Sequence, residues 1–180
     1  MSENPDEVIA FWREAGPEKW FTTDKAFDAA IADRFSRLHE VAAQGGHDHW
    51  AESANGALAL ILVLDQFSRN LHRGSALAFA GDAKALQIAE NAVERGDGRS
   101  VPEDLQIFFY MPFEHSESLA DQRTAIRLTH AMGSANYLKY ARVHHEVIRR
   151  FGRFPHRNAV LGRHTTAAEA AFLEAGGFTA

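Results

Sequence analysis

The sequence lacks cysteine altogether. That absence excludes disulfides, thiolate zinc sites, iron–sulfur clusters and a cysteine nucleophile. A long hydrophobic run is also missing, because the longest uncharged apolar stretch, residues 56–64, is far shorter than the ~20 residues that span a bilayer. Residues 1–6 are acidic and do not have the basic-then-apolar order of a secretory signal. We therefore expect a cytoplasmic protein with no membrane partner.

Positive charge is scarce in the chain as a whole. Lys and Arg total 19 against 24 Asp and Glu, a net charge of −5 over 180 residues. Nucleic-acid-binding proteins are usually basic, so we expect no nucleic-acid partner. Residues 149–164 nevertheless contain five arginines and no acid, which leaves −10 for the rest of the chain. These arginines either pair with acids elsewhere in the fold or form a site for an anion.

The remaining composition is that of a globular protein. Hydrophobic residues make up 46%, and no low-complexity tract or internal linker interrupts the chain, which predicts a single domain over residues 1–180. Apolar residues recur at steps of three and four, as in Phe27, Ile31, Phe35 and Leu38, the pattern of an amphipathic helix. No convincing strand is found, so we predict an all-α fold of about eight helices joined by short loops.

Individual helices are predicted from their caps and apolar patterns. Residues 51–70 are apolar on nearly every side, which favours a central buried helix, with a buried strand at residues 60–64 as the alternative. Residues 22–24 can cap the helix before it, and residues 44–46 end that helix. Further helices are predicted after Ser75, after Pro102, after Ser116 and after Thr165 or Thr166.

Searches for standard catalytic motifs are negative. The sequence has no nucleophile elbow, no phosphate-binding P-loop, no His-Glu-x-x-His zinc motif and no Glu-x-x-His pair of a di-iron bundle. His47 and His49 could hold a metal, but no third ligand lies nearby, so a solvated turn is favoured. We predict no metal site and identify no cofactor.

Three polar clusters remain. The first comprises Asp65, Gln66, Arg69 and Asn70, at the end of the most apolar helix. Asp65 and Arg69 are one turn apart and can pair on one face. The cluster is interpreted either as a set of ligand-binding residues or as a helix-end salt bridge with an amide cap.

The second cluster contains Tyr110, Glu114, His115, Ser116 and Glu117. Burial beside aromatic side chains raises the pKa of a carboxyl group, which is how general acids are made. We predict catalytic roles for Glu114 and His115 and ligand contacts for Tyr110 and Glu117. The alternative is that Ser116 and Glu117 only start a helix.

The third cluster is a cationic loop. Arginine side chains suit carboxylate or phosphate oxygens. The predicted catalytic residue here is His156, and the predicted ligand-binding residues are Arg153, Arg157, Asn158 and Arg163. His144 joins this cluster by position, one turn before the loop. The alternative for His144 is a satisfied core histidine.

Three segments carrying these clusters resemble a known family. They are residues 64–70, 109–117 and 150–158, and together with the rest of the chain they resemble the bacterial family catalogued as domain of unknown function 924. The resemblance implies a fold similar to tetratricopeptide-repeat proteins, with antiparallel helical hairpins stacked into a right-handed arc. It implies no established reaction. Ser68 departs from the family pattern, which has proline there.

Two functions remain open from the sequence. The first is a pocket for a small anionic ligand, in which cations hold the charge and Glu114 with His115 handles a proton. The second is a tetratricopeptide-like module that binds a protein or peptide partner and has no enzymatic activity, its clusters tying helix ends together. Whether the protein is an enzyme is left open.

Overall fold

The structure, a computed structural model, describes residues 4–178. In that range α-, 3₁₀- and π-helical segments are joined by turns and short loops, and no strand occurs. The prediction of an all-α fold is confirmed. The tetratricopeptide-like arc of stacked hairpins and the single-domain organisation stay predictions. Among the described residues, no helix combines the length and the hydrophobicity that a membrane span needs.

The α-helices of the described chain are α1 (Pro5–Ala15), α2 (Pro17–Trp20), α3 (Lys25–Ala43), α4 (Ala54–Ile61), α5 (Ser68–Leu71), α6 (Asp82–Arg95), α7 (Met111–His115), α8 (Leu119–Met132), α9 (Ala135–Phe151) and α10 (Ala167–Glu174). The 3₁₀ segments are Asp48–Glu52, Ala76–Phe79, Asp97–Arg99, Glu103–Phe109 and Pro155–Arg157. A π-helical segment, Leu62–Phe67, continues α4 without a break.

The chain divides into two compact units. Unit 1 contains the described residues up to Arg73 together with Leu77–Pro112. Unit 2 contains Gly74–Ala76 and the described residues from Phe113 onward. The first polar cluster and Tyr110 therefore belong to unit 1, whereas Glu114, His115, Glu117 and the whole third cluster belong to unit 2.

Unit 1 is built around α4 and the π-helical segment. Every side chain from Leu58 to Leu64 is fully buried, so the central helix predicted over residues 51–70 is confirmed and the strand alternative is wrong. Helices α1, α3 and α6 pack around this central element. Complete burial of a Leu or Ile side chain contributes about 1.5–3 kcal/mol, which makes this segment the main apolar core of the unit.

One glycine allows a close backbone contact against the π-helical segment. A Cβ placed on Gly81 would collide with the carbonyl oxygen of Leu64. Because the obstacle is backbone, it cannot move aside as a flexible side chain would. Gly81 therefore lets the start of α6 pack directly on the segment that carries Asp65.

Unit 2 contains a helical hairpin made of α8 and α9. Gly133 ends α8 in the left-handed region, with a φ of 79°, and Ser134 caps α9. The two helices pack against each other. Val147 and Ile148 of α9 form a buried apolar cluster with Phe154. A short connection of this kind is typical of antiparallel helix pairs.

Three predicted helix boundaries differ from the structure. Ser118, not Ser116, caps α8: the Ser118 hydroxyl accepts from the Asp121 N–H, while the Ser116 hydroxyl accepts from the Ser118 N–H at 3.1 Å and donates to the Asp121 carboxylate at 2.6 Å. The helix predicted after Ser75 is divided into a 3₁₀ segment and α6, and Glu103–Phe109 is 3₁₀ rather than α-helical. The final helix is capped by Thr166, one of the two residues proposed for that role.

Candidate functional site

The first polar cluster lies in unit 1 and is internally paired. Asp65 is fully buried in the π-helical segment. Arg69 Nη1 donates to Asp65 Oδ1 at 3.0 Å and to Asp82 Oδ1 at 2.9 Å. Burial alone would lower the pKa of Arg69, but the two carboxylates outweigh it and raise that pKa. The positive charge of Arg69 is thus balanced within the unit.

The two amides of this cluster also contact carboxylates. Gln66 Nε2 donates to Asp65 Oδ2 at 2.5 Å, and Asn70 Nδ2 donates to Asp28 Oδ1 at 2.7 Å. Burial would raise the pKa of Asp28, but hydrogen bonds from Arg73 and Asn70 lower it. Since Asp28 lies on α3, these bonds tie α3 to the end of the central helix.

Tyr110 also lies in unit 1. Its hydroxyl accepts a hydrogen bond from Gln106 Nε2 at 2.8 Å, one turn earlier in the chain. Burial raises the pKa of the Tyr110 hydroxyl. The phenol is therefore protonated at neutral pH and can donate a hydrogen bond.

In unit 2, Glu117 connects the start of α8 to the cationic loop. Its carboxylate accepts hydrogen bonds from Arg163 Nη1 at 2.8 Å and Nη2 at 3.1 Å, and from the backbone N–H of Phe154 at 2.8 Å. Burial would raise the pKa of Glu117, but these hydrogen bonds and the charges of Arg163 and Arg157 lower it. Glu117 and Arg163 thus hold the loop in place.

Arg153 makes a second paired contact with a carboxylate. Its Nε and Nη2 donate to the two Glu169 carboxylate oxygens at 2.6 and 2.9 Å, and Nη2 also donates to the carbonyl oxygen of His164 at 2.7 Å. Hydrogen bonds from Arg153 lower the pKa of the buried Glu169. The same carboxylate completes the capping box with Thr166. Arg153 therefore anchors α10.

The remaining predicted residues of unit 2 gather around one aromatic ring. Phe154 is fully buried. The ring centroids of His144 and His156 lie 5.7 and 5.6 Å from it, and the Arg157 guanidinium carbon lies 4.5 Å from its centroid. Arg157 is itself buried, with 6% of its surface exposed. Two imidazoles and a guanidinium thus share one hydrophobic platform.

Two residues of α7 face the same group. Glu114 Oε2 lies 3.7 Å from His144 Nδ1, and the His115 and His144 ring centroids are 6.2 Å apart. Both residues are buried. Their position is set by the fully buried Gln122, whose Nε2 donates to the Glu114 carbonyl oxygen at 2.6 Å. We call Glu114, His115, His144, His156 and Arg157 the histidine cluster.

His144 is held as a neutral imidazole. Its Nδ1 lies 2.9 Å from the carbonyl oxygen of Tyr140. A carbonyl can only accept a hydrogen bond, so Nδ1 carries the proton and Nε2 carries a lone pair. Burial, together with the charges of His115, Arg157 and His156, lowers the pKa of His144 to about 3 despite the opposing bond to Tyr140. His144 is therefore a hydrogen-bond acceptor at neutral pH.

Asn158 follows Arg157 in the chain and is fully buried. Its Nδ2 is 3.3 Å from Thr165 Oγ1, while its Oδ1 has no hydrogen-bond partner within residues 4–178. A buried amide oxygen of this kind can accept a hydrogen bond from a ligand. No group of three or more His, Asp or Glu side chains in the described chain could hold a metal ion.

Some residues of the site are absent from the sequence prediction. Asp82 and Glu169 neutralise predicted ligand-binding arginines, and Phe178 contacts His144, with 4.4 Å between the ring centroids. Glu169 had a sequence signal, because it stands three residues after Thr166, the spacing of a capping box. Asp82 and Phe178 had none, since both contacts join residues distant in the chain.

Comparisons with known proteins point to one family. The profile described as bacterial protein of unknown function (DUF924) matches residues 8–177. A solved structure of a protein of unknown function from Agrobacterium tumefaciens is similar, with 45% sequence identity and a TM-score of 0.92. That similarity covers 96% of this chain and 97% of the other. A search of curated proteins finds no match. These findings assign no activity.

Proposed function

Since the chain belongs to the bacterial DUF924 family, whose function is unknown, we propose that its histidine cluster binds a small anionic ligand and exchanges a proton with it. One observation carries this proposal. A buried guanidinium and two imidazoles meet on the Phe154 ring, beside a third imidazole and a carboxyl group. Burying so many ionisable groups together is costly for stability and is common at functional sites.

Arg157 is assigned to the charge of the ligand. Arg157 lies over Phe154, and its charge reaches His144. A guanidinium presents a planar pair of N–H donors that matches a carboxylate or phosphate. His156 and the Asn158 amide oxygen would orient the ligand.

Glu114 and His115 are assigned to the proton, whereas His144, which stays neutral because burial lowers its pKa to about 3, is assigned to ligand contact as a hydrogen-bond acceptor. Neutral His144 offers a lone pair on Nε2, and Glu114 lies 3.7 Å from the other ring nitrogen. An acid, a base and a cation in one buried site are the parts that general acid–base catalysis requires. Ligand binding and proton transfer are the two steps that these residues support.

A second function is favoured by a different observation. An open groove of about 560 Å³ runs along α9, and its lining includes the apolar Leu138, Val143 and Phe178 and the charged Lys139, Arg142 and Glu146. An apolar groove with two cations and one acid fits an amphipathic segment of a partner that carries charged residues. In this alternative the chain is a protein-interaction module and the histidine cluster is structural.

A thermal-shift screen of carboxylates, phosphates and nucleotides separates the two. A ligand at a hundred times its Kd adds about 2.7 kcal/mol, which raises the Tm of a chain of this size by about 5–11 °C. We expect such a shift in the wild type and in Arg142→Gln, an exposed control on α9, and its loss in Arg157→Gln. Circular dichroism checks that each variant folds, and Arg157→Lys keeps the charge if Arg157→Gln does not. The absence of any shift, or an equal shift in all folded variants, would contradict the proposal.

A further inference from the structure

The segment after α10 turns back toward the histidine cluster. Gly176 has a φ of +74°, a conformation that favours glycine, and the Gly177 N–H donates to the Phe172 carbonyl oxygen at 2.9 Å. A Cβ on Gly177 would lie 2.6 Å from the ring of Phe172 and closer still to its carbonyl oxygen. Both glycines are therefore needed for the turn that delivers Phe178 to its position.

The ring of Phe178 lies against two imidazoles. Its centroid is 4.4 Å from that of His144, with an interplanar angle of 62°, and 6.0 Å from that of His156 at 77°. These are edge-to-face arrangements, the favoured geometry of aromatic pairs. The same two imidazoles flank Phe154, the ring that carries Arg157. Phe178 thus fills a place in the histidine cluster itself.

Ring contacts and packing against the buried cluster of Val147, Ile148 and Phe154 hold Phe178 in this place. Within residues 4–178, its backbone forms no hydrogen bond with the rest of the chain, and its side chain is only half-buried. The contacts of Phe178 are therefore of a kind that another aromatic ring could make equally well. A ligand ring that displaced Phe178 would break no backbone hydrogen bond of the described chain.

We infer that the place of Phe178 is an aromatic subsite and that the ligand of the site is an aromatic carboxylate. The ligand ring would take the position of the Phe178 ring against His144 and His156, and its carboxylate would contact Arg157. A singly charged carboxylate suits this site better than a dianionic phosphate, because the carboxyl group of Glu114 already lies 3.7 Å from His144. The inference rests on the proposed anion site and specifies its ligand class.

The test compares 3-phenylpropionate with propionate, which has the carboxylate but no ring. Each is titrated by calorimetry into the wild type, Phe178→Ala and Phe21→Leu, a control at an exposed aromatic residue of unit 1. Phe178→Ala should bind 3-phenylpropionate about tenfold more tightly than the wild type, the factor expected if Phe178 fills the subsite about 90% of the time. Phe21→Leu should bind like the wild type, and propionate affinity should be the same in all three.

Histidine ring signals in NMR spectra give a second readout. On addition of 3-phenylpropionate to Phe178→Ala, the signals of His144 and His156 should move and saturate together. Equal affinity of Phe178→Ala and the wild type for 3-phenylpropionate would overturn the aromatic subsite. Equal affinities for 3-phenylpropionate and propionate, both dependent on Arg157, would also overturn it while leaving the anion site intact. If neither compound binds any variant, the proposed function fails as well.

Discussion

Acidification should destabilise the protein through His144. The pKa of this histidine is about 3 in the folded chain against an ordinary value of 6.5. Between these values the unfolded state binds a proton that the folded state excludes, so the free energy of unfolding falls as the pH falls. From pH 7 to pH 5, the two pKa values correspond to a loss of about 2 kcal/mol from this one residue.

The assay is urea unfolding at pH 7 and pH 5, applied to the wild type and to His144→Gln. Glutamine can still donate a hydrogen bond to the Tyr140 carbonyl oxygen but does not titrate. We expect the stability difference between the two pH values to be about 2 kcal/mol smaller in the variant. His39, whose pKa is also lowered by burial, contributes in the same direction in both proteins and cancels.

His130→Gln is the matched control, because His130 is exposed on α8. It should show the same pH dependence as the wild type. If wild type and His144→Gln lose equal stability on acidification, the reasoning about His144 is refuted.

Three further predictions concern stability. Arg69→Ala should cost about 3–5 kcal/mol in urea unfolding, because it leaves the fully buried Asp65 carboxylate without its guanidinium partner. A loss below about 1 kcal/mol would show that this ion pair is not needed. Gly81→Ala should cost about 1–3 kcal/mol, since its Cβ meets the Leu64 carbonyl oxygen; unchanged denaturant midpoints would contradict the close contact. Glu169→Gln should lower the Tm measured by circular dichroism, because the buried carboxylate that accepts two hydrogen bonds from Arg153 is lost, and an unchanged Tm would be evidence against that role.

Much of the helical architecture could be predicted from caps and periodicity. Asp24 caps α3 from the segment named for that role, and Thr166 caps α10 as one of the two residues proposed. These signals are local, because a cap depends on a side chain and the backbone within three residues of it. Local determinants of this kind are readable from sequence.

The departures arise from interactions that sequence spacing does not encode. The π-helical segment Leu62–Phe67 lies inside a uniformly apolar run, in which an i→i+5 hydrogen-bond pattern leaves no signature. Ser116 is a good cap residue, but its hydroxyl holds the turn before the helix, accepting from the Ser118 N–H and donating to the Asp121 carboxylate. In both places contacts formed in the folded chain override the local preference.

In the candidate site too, local patterns could be predicted from the sequence and long-range contacts could not. Two of the three motifs, residues 109–117 and 150–158, contain four members of the histidine cluster, Glu114, His115, His156 and Arg157. The spacing could not show that Arg153 anchors α10, because its carboxylate partner, Glu169, comes sixteen residues later in the chain. Partners that are distant in sequence decide which charges are already paired.

Binding of a small aromatic carboxylate is the most direct test that the histidine cluster is a ligand site. The measurement is an NMR titration of 3-phenylpropionate into wild type, Phe178→Ala, Arg157→Gln and Arg142→Gln, followed on the histidine ring signals. We expect saturable shifts of the His144 and His156 signals in every protein except Arg157→Gln. In Phe178→Ala these shifts should saturate at lower ligand concentrations than in the wild type. Histidine signals that stay still in both wild type and Phe178→Ala, or move equally in folded Arg157→Gln, would contradict it.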